Sequence, residues 1–264
     1  MSSAAADDAA KPAVGGIALI IPARNEALSL PEVLSRVPAS VTRLLVVDDG
    51  STDDTAAVAR AGGAEVVFEP VPGYGRACLA GIAALQGAPP AIVAFADADG
   101  SDGVHNLPAL LQLLQEGAAD LALARRIPVR HQALTSQQRF GNRLATTLIR
   151  LFWGHSYRDL GPMRAISWEA LQGLNMADQD FGWTVEMQIK ALKAGLRVLE
   201  CPLPYYPRIA GVSKISRTLS GVVRAGTKIL WVIGRELCLR DTGSGKRCAA
   251  LPGDGAPRPA SKSH

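Results

Sequence analysis

Residues 91–103 read AIVAFADADGSDG, an apolar run that ends in three carboxylates, Asp97, Asp99 and Asp102. Three chemistries use carboxylates spaced like this. A calcium loop needs oxygen ligands at alternating positions, glycine at position six and glutamate at position twelve. Counted from Asp97 those positions hold Asp102 and Pro108, which excludes it. A phosphoryl-transfer nucleophile needs Asp97 to attack phosphorus, Asp99 to deliver a proton, and a later acidic pair to hold magnesium. A metal clamp needs only two carboxylates on one edge, facing a cation that bridges phosphate oxygens. Mg2+ or Mn2+ suits such a clamp because the ion keeps several waters and takes one or two protein carboxylates. Spacing alone leaves the last two readings open.

Two more polar clusters close apolar runs earlier in the chain. PARNEA carries Pro22, Arg24, Asn25 and Glu26, which alone read as the polar first turn of a helix. VVDDGSTDDT carries Asp48 and Asp49, then Gly50 for a turn, then Ser51 or Thr52 as a cap for a helix whose first turn holds Asp53 and Asp54. Capping accounts for the later residues of that motif. It does not account for two adjacent carboxylates at a strand end.

The elements that must position these clusters alternate. Short β-branched or aliphatic runs at 17–23, 43–49, 64–68, 91–97 and 119–125 predict strands, and helical spacing follows the first four at 28–37, 52–61, 75–85 and 104–116. That alternation predicts an α/β domain with a mostly parallel sheet covered on both faces. Ligands of such sheets bind at the carboxyl ends of the strands, where all three clusters fall. Beyond residue 125 the pattern predicts a helix at 141–151, a loop at 158–167, a helix at 184–194 and a strand at 196–205. Asp178 and Asp180, in MADQDFGW, follow no apolar strand.

The chain has 264 residues and a net charge of +4, a mild excess that does not argue for nucleic acid. Its four cysteines are scattered without metal-ligand or CxxC spacing, so a reduced, cytoplasmic setting is expected and no zinc site is. The acidic, small-residue start does not read as a signal peptide, and no apolar segment is long enough to span a bilayer. Residues 1–16 and 241–264 read as disordered ends, 17–215 as one domain and 216–240 as an amphipathic helix.

DADG after an apolar strand resembles the opening motif of haloacid-dehalogenase-type phosphohydrolases, but there the motif opens the fold, whereas two acidic strand ends precede it here. A larger resemblance covers residues 17–215. PxxNE, VVDDGSTDDT, GYGRA, FADADG and RIAGVSK occur in order and at fitting intervals, and together they resemble the family-2 inverting glycosyltransferases of GT-A fold, in particular the dolichyl-phosphate mannosyltransferase or polyprenyl-phosphate glycosyltransferase branch. The resemblance implies a hexose transfer from a nucleotide-sugar donor, GDP-mannose or UDP-glucose, to a polyprenyl phosphate. It assigns Pro22, Arg24, Glu26, Val47 and Asp49 to the donor's nucleotide, Asp97 and Asp99 to a Mg2+ or Mn2+ ion, and Ala98 to the donor. Arg126 matches the family's strand-end arginine, and Arg208 and Lys214 the basic loop that closes over the diphosphate. Arg76 stands where the family usually has lysine.

A lipid phosphate is already an anion and needs positioning rather than a base. Arg139 and Arg143, one helical turn apart, and Arg164 beside Asp159 could position it. In residues 217–237, at ~100° per residue, Arg217, Arg224, Lys228 and Arg235 fall within about 40° of one another. Opposite them lie Leu219, Val222, Gly226, Leu230, Ile233 and Leu237. This helix either packs its apolar face on the domain or lies in a membrane interface with its charges on anionic headgroups, giving peripheral attachment to the cytoplasmic face.

Overall fold

A computed structural model of the chain describes residues 15–130, 136–211 and 219–239. The amino-terminal part alternates as expected: β1 (Ile17–Ala23), α1 (Leu30–Ser35), β2 (Arg43–Asp48), α2 (Thr55–Ala61), β3 (Glu65–Phe68), α3 (Tyr74–Leu85), β4 (Ile92–Phe95) and α4 (Pro108–Gln115). Pro31 and Pro108 stand in the first turns of α1 and α4, where a missing N–H costs nothing. Then follow β5 (Leu121–Pro128), α5 (Ser136–Trp153), β6 (Arg164–Ser167), α6 (Trp168–Leu174), α7 (Trp183–Lys193), β7 (Val198–Tyr205) and α8 (Leu219–Cys238).

The seven strands form one sheet in the order β3-β2-β1-β4-β6-β5-β7. All pairs are parallel except those of β6, which runs antiparallel to both β4 and β5. Successive side chains of a strand point to opposite faces, and both faces are covered. Ala18, Ile20, Leu45, Val47, Val93 and Phe95 join one core with α3, α7 and α8, whereas Leu19, Ile21, Val46 and Ala94 join another with α1 and α4. Burial on both faces is why these strands read as unbroken apolar runs.

Three expectations change. Residues 158–167 are not simply a loop, because Arg164–Ser167 is the antiparallel strand β6. Helix α2 begins at Thr55 rather than residue 52, with no side-chain cap from Ser51 or Thr52. Helix α8 is rotated from the expected seating: Ile233 of the apolar stripe is buried with Val232, but Leu230 and Leu237 are exposed, and the basic side chains Lys228 and Arg235 reach acidic groups of the domain. Of the terminal segments read as disordered, 1–14 and 241–264 lie outside the described residues, as do Lys214 and Arg217 and the side chains of Leu219, Val222 and Arg224, whereas the Gly16 carbonyl accepts from the Ala91 amide at 2.8 Å.

Candidate active site

The carboxyl ends of β1, β2 and β4 open on a cleft of about 270 Å³. Its walls include Pro22 near the end of β1, Arg24 and Glu26 after it, Asp49 after β2, and Asp97, Ala98 and Asp99 after β4. Arg208 enters from the segment after β7. Seven of the donor residues taken from the resemblance, with Arg208, thus share one space.

Loops fix their positions. Asn25 accepts from the Thr52 amide at 2.7 Å while its own amide donates to the Ser51 hydroxyl at 2.9 Å, and the Glu26 amide donates to Thr55 Oγ1 at 2.9 Å. Ser51 and Thr52 therefore clamp the loop after β2 to the loop after β1, which is why they do not cap α2. Asp48 Oδ1 accepts from the Ser51 amide and Asp49 Oδ1 from the Gly73 amide, both short bonds of 2.9 and 2.8 Å. The two adjacent strand-end carboxylates thus divide: Asp48 holds its own turn and Asp49 holds the start of α3 at the cleft.

The DADGSD segment folds back on itself. Asp102 accepts from the Asp97 amide at 2.9 Å, and Asp99 Oδ1 accepts from both the amide and the hydroxyl of Ser101 at 2.8 and 2.6 Å. Asp99 Oδ2 faces Arg208 at 3.2 Å, and the same guanidinium nitrogen reaches Glu26 Oε1 at 2.8 Å. Burial, then the neighbouring charge of Asp99, pushes Asp97 up to about 7. Burial, then Asp97, raises Asp102 well above the carboxylate range. Two crowded carboxyls on one edge, one of them reluctant to ionise alone, are a donor set that fits a divalent cation. Among the described residues no group of three or more His, Cys, Asp or Glu is placed to hold a metal, so the protein would supply two carboxylates and substrate phosphate the rest.

Among the described residues of the cleft wall, Glu26, Asp49, Asp97, Asp99 and Asp180 face Arg24 and Arg208. Five carboxylates against two guanidiniums would repel a diphosphate. A divalent cation held by Asp97 and Asp99 would remove that objection.

Other anticipated residues stand elsewhere. Val47 is fully buried in the sheet core and is not part of the cleft wall. Arg126 also stands outside that wall: its Nε and Nη2 hold Asp159 at 2.8 and 2.7 Å, and its guanidinium lies 5.3 Å from the Tyr205 ring centre. Its charge still lowers the proton affinity of Asp97 and Asp102. Arg164, anticipated as a phosphate contact beside Asp159, is wholly buried and donates to the carbonyls of Gly161, Pro162 and Thr184. It ties the loop before β6 to α7 and cannot meet an acceptor, and Asp159 pairs with Arg126 instead. Arg139 and Arg143 lie on the exposed side of α5. Asp102 caps no helix; it accepts the Asp97 amide.

The far wall was not anticipated. Asp180 and Phe181, just before α7, and Tyr74 at the start of α3 line the same cleft. Two glycines make that closure possible. A Cβ on Gly73 would strike the Gln179 carbonyl and one on Gly75 the Asp178 carbonyl, while the Arg76 amide donates to Gln179 at 3.1 Å. The 178–181 loop is braced from behind, with Asp178 fully buried and paired to Lys228 at 2.9 Å, and Glu186 accepting from the amides of Ala177 and Asp178. The sequence carries two separate marks, an acid three residues before the helix that starts at Trp183 and a GxG that admits close backbone approach, but nothing in it joins the two.

Sheet order, strand-end cleft and paired carboxylates define a nucleotide-sugar type of site. The chain matches the family described as glycosyl transferase family 2 over residues 18–171 and belongs to that family. It is a glycosyltransferase of GT-A fold, so the phosphohydrolase reading of Asp97 falls. An uncharacterised glycosyltransferase of Mycobacterium tuberculosis is 42% identical over 209 residues, 79% of this chain and 94% of that one. Undecaprenyl-phosphate mannosyltransferase of Micrococcus luteus is 31% identical over 232 residues, 80% of this chain and 94% of that one. Among solved structures, glucosyl-3-phosphoglycerate synthase of Mycobacterium tuberculosis, in complex with Mn2+, UDP and glucosyl-3-phosphoglycerate, has a TM-score of 0.70 at 23% identity, covering 88% and 83% of the two chains. That likeness is one of fold.

Proposed function

We propose that the protein transfers a hexose from a nucleotide sugar, GDP-mannose or UDP-glucose, to a polyprenyl phosphate with inversion, using Mg2+ or Mn2+. The observation that carries this reading is the pair Asp97 and Asp99 crowded on one edge of the cleft, where carboxylates outnumber guanidiniums among the described residues. The cation, held by those two side chains, would offset the charge that builds on the departing diphosphate. Glu26, Asp49 and Arg24 would hold the nucleotide. Arg208 and Lys214 would pair with the phosphates, and a guanidinium aimed at developing negative charge favours the transition state over the ground state. The bond from the anomeric carbon to the diphosphate breaks with its electron pair on the leaving group. An acceptor phosphate oxygen forms the new bond on the opposite face, and as an anion at neutral pH it brings no proton to remove.

The relationship to undecaprenyl-phosphate mannosyltransferase supports the lipid acceptor. Asp180 favours a second reading. A carboxylate in the cleft wall is what an acceptor hydroxyl needs as a base, so a non-lipid acceptor is the alternative. Release of GDP or UDP, measured with each donor and Mn2+, separates them. Release that requires a lipid phosphate and survives Asp180→Asn supports the first reading; release with a soluble hydroxyl acceptor, lost in Asp180→Asn, supports the second.

A further inference from the structure

We propose that the exposed face of α5 is a docking surface for an anionic lipid bilayer. Between Asp120 and Asp159 the chain has no acidic residue but carries Arg125, Arg126, Arg130, Arg139, Arg143, Arg150 and Arg158. These seven positive charges exceed the net +4 of the whole chain, so the rest of the molecule is net acidic. Helix α5 sits in the middle of this stretch.

At ~100° per residue the helix has three stripes. Ala145 and Ile149 are fully buried and seat it on the core. Arg139, Arg143 and Arg150 are exposed and fall within about 40° of one another on that period. Between those stripes lie Phe140, Leu144 and Leu151, of which Phe140 and Leu151 are 70% and 71% exposed. Leaving two large apolar side chains in water along a helix with no neighbouring carboxylate fits neither a solvated face nor a packed one. It fits an in-plane helix that sinks its apolar stripe to the acyl boundary while arginines at its edge meet headgroup phosphates.

Charge selects the occupant. A second copy docking through the same face would set arginine against arginine, since a two-fold contact is self-complementary by construction. An anionic bilayer offers both the apolar layer and the opposite sign. Helix α8 packs on α5 and exposes Leu230 and Trp231. Its Lys228 and Arg235 are turned to Asp178 and Glu186, so the charge for this contact comes from α5. Among the described residues no helix is long and apolar enough to cross a membrane, so a lipid substrate would be met from the surface. This purpose rests on the polyprenyl-phosphate reading; the test does not use the acceptor.

The full chain is sedimented with phosphatidylglycerol vesicles and with phosphatidylcholine vesicles. Wild type is expected to bind the anionic vesicles selectively, less so as salt rises. The double variants Phe140→Ser/Leu151→Ser and Arg143→Glu/Arg150→Glu are each expected to bind on the order of tenfold more weakly. A thermal shift with UDP or GDP plus Mn2+ that matches wild type shows that the variants fold. Failure of wild type to bind phosphatidylglycerol at low salt overturns the proposal, as does unchanged binding by both folded variants. A wild-type dimer that Phe140→Ser/Leu151→Ser returns to monomer overturns it in favour of self-association. Vesicle binding without turnover on a short-chain polyprenyl phosphate in detergent would instead fail the acceptor reading alone.

Discussion

Arg208 bridges two carboxylates of the cleft, 3.2 Å from Asp99 Oδ2 and 2.8 Å from Glu26 Oε1, and so occupies the side of Asp99 that a cation would need. The segment carrying it is stitched down by the Tyr206 amide to the Ser101 carbonyl at 2.8 Å and the Ile209 amide to the Asp99 carbonyl at 3.0 Å. Any cation on Asp99 competes with this guanidinium. Arg208→Ala is therefore expected to bind Mn2+ several-fold more tightly in the absence of nucleotide, on the scale of about 1 kcal/mol for a partly exposed pair, while donor turnover falls. Calorimetric titration with Mn2+ reads the first effect. Weaker binding in the variant would mean that Arg208 supports the ion rather than competing with it.

Stability of the metal-free protein should depend on pH through Asp97. Folded, this group keeps its proton up to about 7; unfolded, it releases it near the ordinary 3.8. Between those values the folded state binds more protons, so stability falls as pH rises through this window and levels off above it. Asp102, raised in the same direction, adds to the slope. Thermal melts in chelator from pH 4.5 to 8 should show that fall, shallower in Asp97→Asn, and added Mn2+ should restore stability at the upper end. A Tm that climbs across the window would contradict the assignment.

Lys228 braces the 178–181 loop. Its ammonium lies 2.9 Å from Asp178, whose side chain has no solvent exposure. Lys228→Glu strands that carboxylate beside a like charge, and removing one partner of a buried pair costs about 3 kcal/mol. Urea unfolding should show a loss of that order. Binding to anionic vesicles by the protein that remains folded should be unchanged, because this side chain faces the domain.

Gly75→Ala tests the far wall. The new methyl would fall against the Asp178 carbonyl, a backbone atom that moves only with its loop. Overpacking of this kind costs about 1–3 kcal/mol, and the displaced loop carries Asp180 and Phe181 away from the cleft. Donor affinity by thermal shift should drop together with stability; an unchanged affinity would separate the 178–181 loop from the donor site.

Strands β1, β2 and β4 were legible because strands buried on both faces read as continuous apolar runs, and the edge strand β3 because Val66, Val67 and Phe68 are good strand formers. The cleft's near wall was legible because Arg24, Glu26, Asp49, Asp97 and Asp99 all stand at strand ends. Strand β6 was hidden: its four residues begin with Arg164, a charge buried by three backbone carbonyls that sequence cannot supply. Helix α8 sits about a quarter turn from the expected seating at ~100° per residue, because periodicity separates charged and apolar stripes but does not show that Asp178 and Glu186 draw Lys228 and Arg235 toward the domain. Asp180 was set aside because no strand precedes it. Its place in the cleft depends on Gly73 and Gly75, more than a hundred residues upstream, admitting the loop that carries it.

The most direct test of the central claim is mass-spectrometric detection of glycosyl phosphoryl polyprenol formed from a nucleotide sugar and polyprenyl phosphate with Mn2+. Formation that stops in chelator and in the folded double variant Asp97→Asn/Asp99→Asn is the result the account predicts. Product formed at an undiminished rate by the double variant would contradict it.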